Sequence, residues 1–111
     1  MEYSLETTYN SPAAHHYRIT VENAIVEGVE IPLPGTTQYL LVIHCAKGML
    51  ACRLISEEVS AKLKLPIAIF SAARIENMLT GKPAAVSDAA AELGITKDMV
   101  GWEIIKAFSV V

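Results

Sequence analysis

The sequence predicts an α+β fold: a mostly antiparallel β-sheet region comes first, followed by a strand–helix–strand unit and by short C-terminal helices packed on the sheet. Three observations predict it. Apolar residues tend to alternate with polar ones over residues 17–33, and two apolar runs flank the turn at Gly48. From residue 56 onward, apolar residues recur at helical spacing after serines that can cap helices. A chain of 111 residues is one domain's length. We therefore expect a flexible arm over residues 1–14 and a single domain over residues 15–111.

The composition favours self-association. Hydrophobic residues make up 52% of the chain and charged residues only 19%, which leaves more apolar surface than a small monomer buries. Nine Lys and Arg stand against twelve Asp and Glu, with no basic cluster, so neither nucleic acid nor an anionic membrane surface is an expected partner. The longest apolar run, residues 39–43, is too short for a bilayer, which needs about 20 residues.

The cysteines and the first residues predict a compartment. The two cysteines are not a disulfide scaffold, and residues 1–10 are polar and acidic, unlike a secretory signal. We therefore predict a cytoplasmic protein in a reducing environment.

The first third of the chain predicts an arm, two short strands and a turn. Residues 1–14 show no apolar period, which predicts a loosely held segment. Residues 17–21 and 29–33 are predicted as strands with Gly28 between them. Two prolines and Gly35 then predict a turn before the next strand.

Residues 39–45 and 49–55 predict a tight hairpin. With Lys47 and Gly48 as turn residues, Cys45 lies opposite Leu50 and Ile43 opposite Cys52. One face is then wholly apolar and comprises Leu41, Ile43, Cys45, Leu50, Cys52 and Leu54. The other face is mixed and comprises Leu40, Val42, His44, Met49, Ala51 and Arg53. The helices can cover one face, and either the N-terminal strands or a second subunit must cover the other.

Short helices fill the rest of the chain. Ser56 is predicted to cap the first, with Val59 and Leu63 pointing inward and Pro66 ending it. Residues 67–70 then form a buried strand, predicted to pair in parallel with the preceding strand. Ser71 is predicted to cap a second helix that buries Ile75, Met78 and Leu79 and ends at Gly81. Ser87 caps a third over residues 88–93, and a fourth covers about 100–108.

A set of spaced residues carries a resemblance to a known family. The set spans roughly residues 19–108 and comprises Leu40, Leu41, Val42, Ile43, Gly48, Cys52, Ala68, Ile69, Ala90, Leu93, Gly94, Ile95, Met99, Gly101 and Glu103. With this set the chain resembles the YunC-like family of small bacterial and archaeal proteins, a domain of unknown function. The resemblance implies an α+β domain whose N-terminal β part mediates assembly into tetramers, and it implies no known reaction. The chain departs from the family pattern after Cys52 and after Ile69.

Cys52 and Arg53 are the candidate catalytic pair. A thiol beside a guanidinium can be a nucleophile or a redox sensor. The competing interpretation is structural, since the hairpin points Cys52 to the apolar face, where it would pack as a small hydrophobe.

Ser71 begins a candidate ligand site. Its hydroxyl and the N–H groups of Ala72, Ala73 and Arg74 could hold an anion at a helix start, aided by the Arg74 charge. Ordinary capping by Ser71 explains the same residues.

A metal site is not predicted. His44, Cys45 and Cys52 have suitable ligand atoms, but adjacent residues on a strand point to opposite faces, which leaves at most two ligands together. No cofactor is predicted either.

Two functions remain from the sequence. The first is an interaction module whose partner is itself, as a dimer or tetramer formed through the sheet. The alternative is a small enzyme, or a sensor of a small molecule or anion, that uses Cys52, Arg53 and the Ser71 helix start. An enzyme or sensor predicts a cavity that Cys52 or Arg53 reaches, whereas a module predicts Cys52 sealed in the core.

Overall fold

The structure, a computed structural model, describes residues 3–109, which form one seven-stranded sheet and four helices. The elements in chain order are β1 Ser4–Asn10, β2 His15–Val21, β3 Ala24–Pro32, β4 Tyr39–His44, β5 Met49–Cys52, α1 Glu57–Leu63, β6 Ile67–Phe70, α2 Ile75–Thr80, β7 Ala85–Val86, α3 Asp88–Glu92 and α4 Gly101–Phe108. The strands lie side by side in the order of the chain. Neighbours are antiparallel except for β5 and β6, which are parallel. The predicted α+β class and the parallel pair are confirmed.

The main core lies between one face of the sheet and helices α2 and α4. Its largest fully buried side chains are Ile19, Leu41, Ile43, Leu50, Phe70, Ile75, Met78, Leu79, Ile104, Ile105 and Phe108. The two helices approach each other closely at Gly101, where any Cβ would overlap the carbonyl oxygen of Met78. This contact requires glycine, because no larger residue fits between the helices.

The N-terminal residues form more sheet than the sequence predicts. The arm expected over residues 1–14 is corrected, because β1 pairs with β2 along most of its length. Strand β1 lies at the exposed edge of the sheet, and most of its residues are polar. It therefore lacks the alternation of apolar and polar residues by which a strand is predicted from sequence. Met1 and Glu2 lie outside the described residues.

Gly28 does not separate two strands as predicted, but lies inside β3. The strand turns back on β2 at Glu22, which has a φ of 53°, and Asn23. Opposite Tyr17, Gly28 leaves room for the Ile19 side chain, whose Cδ1 would lie 3.2 Å from an added Cβ. The glycine therefore serves packing within a strand.

The β4–β5 hairpin forms with its register shifted by two residues from the prediction. Ile43 pairs with Leu50, so the connection has four residues, closed by a 2.9 Å hydrogen bond from the Cys45 N–H to the Gly48 carbonyl. A shift of two keeps every strand residue on its predicted face, because side chains alternate with a period of two. Leu54 is the exception, since it follows the strand and is 51% exposed.

The predicted serine caps at Ser56 and Ser87 are confirmed. The Val59 N–H donates to Ser56 Oγ at 3.1 Å, and the Ala90 N–H donates to Ser87 Oγ at 3.2 Å. The predicted inward face of α1 is wrong, because Val59 is 50% exposed and Leu63 65% exposed. Ser60 faces inward instead, so the helix is turned by about one residue from the predicted orientation.

The face of the sheet opposite the main core is covered only in part. A second, small core of Ala51, Ile67 and Ile69 lies behind β5 and β6. Behind β3 and β4, apolar side chains stay partly or well exposed; this open face comprises Ile25, Val29, Ile31, Leu40 and Val42. The N-terminal strands extend the sheet sideways and leave this face uncovered. None of the helices within residues 3–109 has the length and apolar character needed to cross a membrane.

Candidate functional site

A cavity of about 500 Å³ opens where β5 and β6 end. The two strands are parallel, so their carboxyl ends, Cys52 and Phe70, meet at the same edge of the sheet. The cavity is lined by these two residues, by the residues that follow them and by the start of β4. Crevices at the carboxyl ends of parallel strands are common ligand sites in sheets with helices.

Cys52 and Arg53 both line this cavity. Cys52 is 5% exposed, and its Sγ accepts a hydrogen bond from the Leu41 N–H at 3.4 Å. Arg53 is exposed in the turn that follows β5. The structure thus combines the expectations of both sequence-derived hypotheses, since Cys52 is buried as in a core and also borders a cavity with Arg53.

Cys45 lies apart from the cavity as a buried residue of the main core. It is 3% exposed, and burial raises the pKa of its thiol to about 12. Because only a thiolate reacts readily, Cys45 is an inert structural residue.

Ser71, Ala72 and Ala73 form one wall of the cavity, but they do not begin a helix. The predicted cap at Ser71 is wrong, because α2 begins at Ile75 and Arg74 holds the cap position. Asn77 stabilises this start by accepting a hydrogen bond from the Arg74 N–H at 3.1 Å. The chain has four residues between β6 and α2, which carry it from the end of β6 towards β3.

The first N–H group of α2, which has no partner within the helix, donates to a carboxylate of the same chain. The Ile75 N–H donates to Glu30 Oε2 at 2.8 Å. The Glu30 carboxylate of β3 is therefore the anion at this helix start. The loop residues Ser71, Ala72 and Ala73 line the cavity instead.

Glu30 forms the centre of a polar cluster that the sequence does not predict. It lies in β3 and is 1% exposed. Its Oε1 accepts hydrogen bonds from the Tyr17 hydroxyl at 3.0 Å and from Arg74 Nη2 at 2.8 Å, and it lies 3.2 Å from His15 Nδ1. Arg74 Nε lies 3.1 Å from both carboxylate oxygens. These contacts satisfy a buried charge from several sides.

The cluster keeps Glu30 ionised. Burial alone would raise the pKa of Glu30, but hydrogen bonds from Arg74, Ile75, His15 and Tyr17 outweigh it and hold the pKa at about 2. The hydrogen bond to Glu30 in turn raises the pKa of Arg74 above its ordinary value. Burial, followed by the Glu30 contact, raises the pKa of the Tyr17 hydroxyl. The cluster therefore holds an ion pair at all ordinary pH values.

Tyr39 connects this cluster to the cavity. The guanidinium of Arg74 lies 4.4 Å from the centroid of the Tyr39 ring, a cation–π contact, and Tyr39 also lines the cavity. Of the four residues predicted for anion binding, Ser71, Ala72 and Ala73 border the cavity directly, while Arg74 contacts Glu30 and Tyr39 beside it.

One sequence signal does point to Glu30. It has the same parity as the buried Val26 and Gly28 along an alternating strand, and a carboxylate at an inward position requires a partner. The partner Arg74 is 44 residues away in the chain, and no local pattern identifies it.

The metal-ligand hypothesis has no support in the geometry of the predicted residues. His44 is exposed at the end of β4, whereas Cys45 points into the core. Within residues 3–109 no three His, Cys, Asp or Glu side chains form a group that could hold a metal ion. A further cavity of about 620 Å³ between α1 and α3 contains none of the candidate residues.

Comparisons with known proteins identify a shared fold. Neither protein-family models nor curated proteins give a match. The chain is similar to the crystal structure of a protein of unknown function from Thermoplasma acidophilum, with a TM-score of 0.75 and 18% sequence identity. The similarity covers 98% of this chain and 97% of that chain. At this identity the likeness concerns the fold alone.

Proposed function

We propose that the protein is an oligomer-forming interaction module that binds copies of itself through the open face. One observation carries this proposal: Ile25 is 67% exposed and Ile31 39% exposed on a strand in the middle of the N-terminal sheet. The helices α2 and α4, which contact β3, pack on the opposite face of the sheet, where the main core lies. A face-to-face contact with a second copy would bury these side chains, each contributing up to about 1.5–3 kcal/mol.

The charges beside the open face suit a copy of the same surface. Arg18 and Glu27 lie opposite each other on β2 and β3, and Glu6 lies 3.1 Å from Arg18. A surface with both signs beside an apolar centre can pair with itself through a twofold axis. The YunC-like resemblance, which stays a prediction, implies assembly through the same β part. We further propose a reducing cytoplasm as the compartment, supported by the two free cysteines.

Sedimentation velocity on variants that place charges on the open face tests the assembly. The double variant Ile25→Glu with Ile31→Glu should sediment as a monomer, while the wild type sediments as an oligomer. Leu63→Glu is the matched control, because Leu63 is 65% exposed, much like Ile25, but lies on α1. A double variant that keeps the wild-type mass, or a Leu63 variant that dissociates equally, would contradict the open face as the interface. Circular dichroism verifies that each variant folds.

A second candidate function, a small enzyme or a sensor of a small molecule or anion, is favoured by the cavity. The candidate pair of Cys52 and Arg53 and the candidate Ser71 lie in separate parts of the sequence, and all three residues line the cavity. A ligand retained by the purified protein would appear as a fixed extra mass per subunit in a native mass spectrum, and that mass should be lost in Arg53→Gln. A retained mass that persists in this variant would contradict binding at the cavity.

A further inference from the structure

The cavity at the ends of β5 and β6 carries a positive charge. Among the described residues that line it, Arg53 is charged and none is acidic. The Arg53 side chain is exposed and makes no salt bridge within residues 3–109. Its guanidinium can therefore offer a planar pair of donors to a ligand.

The loop that follows β6 offers further hydrogen-bond donors. Within residues 3–109 the Ala72 and Ala73 N–H groups donate no hydrogen bond to the backbone. The hydroxyl of Ser71 is exposed at the start of the same loop. A cation and several hydrogen-bond donors that line one cavity match an anionic group in the ligand.

Besides the polar Thr37 and Gln38, the rest of the lining is apolar or aromatic. Three side chains make up this part of the lining: Phe70 at the end of β6, Tyr39 at the start of β4, and Leu54, which is 51% exposed. A volume of about 500 Å³ is within the usual range for pockets that hold small organic ligands. Such walls favour a ligand with an apolar body, beyond a bare inorganic anion.

The walls are held in place from outside the cavity. Glu30 binds Arg74 through both Nε and Nη2, and Arg74 stacks on Tyr39. These contacts fix the loop that carries Ser71, Ala72 and Ala73 relative to β4 before any ligand arrives. A preformed site loses less conformational entropy when it binds.

We propose that this cavity binds a small organic carboxylate with an apolar body. The carboxylate is held by Arg53 and the Ser71–Ala73 loop, and the body lies against Tyr39, Leu54 and Phe70. This inference rests on the second candidate function and names its ligand class. It is independent of assembly through the open face.

Titration of the ¹⁵N-labelled full chain with benzoate tests the proposal by two-dimensional NMR. Saturable shifts should appear at Ser71, Ala72 and Ala73. Benzyl alcohol, which lacks the charge, and inorganic phosphate, which lacks the apolar body, should each bind about tenfold more weakly or worse.

Two variants that each remove one positive charge give the decisive comparison. Arg53→Gln should weaken benzoate binding about tenfold or more, because one charge-assisted contact is lost. Lys97→Gln, which removes an exposed charge that does not line the cavity, should bind benzoate like the wild type. The proposal is overturned if benzoate gives no saturable shifts at the loop, if the two variants bind equally, or if phosphate binds as well as benzoate. If benzoate fails but the native mass spectrum still shows an extra mass that is lost in Arg53→Gln, the cavity binds a ligand and only the carboxylate class is wrong.

Discussion

Arg74 Nη2 lies 2.8 Å from Glu30 Oε1, an ion pair between residues 44 positions apart. The Glu30 side chain is 2% exposed and that of Arg74 44% exposed, so the pair joins the buried middle of the sheet to the surface loop before α2. Both the helix start and one wall of the cavity depend on it.

Removal of either partner of this ion pair should destabilise the protein. Arg74→Gln leaves a buried carboxylate without its strongest partner, and we expect a loss of about 2–4 kcal/mol in the free energy of unfolding, somewhat less than for a fully buried pair. Glu30→Gln should cost about 3 kcal/mol at neutral pH, because the ionised carboxylate and its contacts are lost. Urea denaturation measures both.

The exposed pair of Arg18 and Glu6 provides the control for this comparison. Both side chains are more than half exposed, so Arg18→Gln should cost less than about 1 kcal/mol. If Arg74→Gln costs no more than Arg18→Gln, the Glu30 cluster does not have the stabilising role that its geometry indicates.

The stability of the wild type should fall in acid through Glu30. The folded pKa is about 2 and the ordinary value is 4.5, so the unfolded chain binds the proton more tightly. The stabilising contribution, about 3 kcal/mol, is fully present above about pH 5 and is lost as the pH falls towards 2. Unfolding free energies of the wild type and Glu30→Gln, measured from pH 7 to pH 2, should therefore converge. Curves that stay parallel would contradict the lowered pKa.

Gly101→Ala should be strongly destabilising. The added Cβ would overlap the Met78 carbonyl, which belongs to the backbone of α2 and cannot move without separating α2 from α4. We expect a loss of about 3 kcal/mol or more in urea denaturation. Gly35→Ala is the control: its φ is +78° but no atom lies within 4 Å, so only backbone strain of about 1–2 kcal/mol is expected. Equal costs for the two variants would argue against the close packing of α2 on α4.

The two thiols should differ in reactivity. In Cys52→Ala, the remaining Cys45 should react with a thiol reagent only as fast as the protein unfolds, because it is buried and its pKa is raised to about 12. In Cys45→Ala, the remaining Cys52 borders the cavity and should react faster. Labelling followed by absorbance at neutral pH measures both rates. Complete labelling of Cys45 within minutes would show that it is not sealed in the core.

Features set by local chemistry could be predicted from the sequence. The caps at Ser56 and Ser87 depend on a single side chain and the next turn of helix, and both are found. The parallel pairing of β5 and β6 follows from two buried strands around one short helix. The predicted faces of the β4–β5 hairpin are correct although the predicted register is not, because the two registers differ by two residues.

Features set by distant contacts could not be predicted. Strand β1 is polar and is defined by its partner β2, so its own sequence resembles a loop. The start of α2 depends on Glu30, which is far away in the chain, whereas the local sequence predicts the cap at Ser71. The candidate site was predicted in part, since Cys52, Arg53 and Ser71 share a cavity, but the cluster that supports it was not.

Native mass spectrometry of the freshly purified wild type tests the central proposal, self-assembly through the open face, most directly. The subunit mass is 12.0 kDa, and we predict that the main species is a dimer or a tetramer at micromolar concentration. A spectrum that contains only the 12.0 kDa monomer up to the highest concentration measured would contradict the proposed assembly.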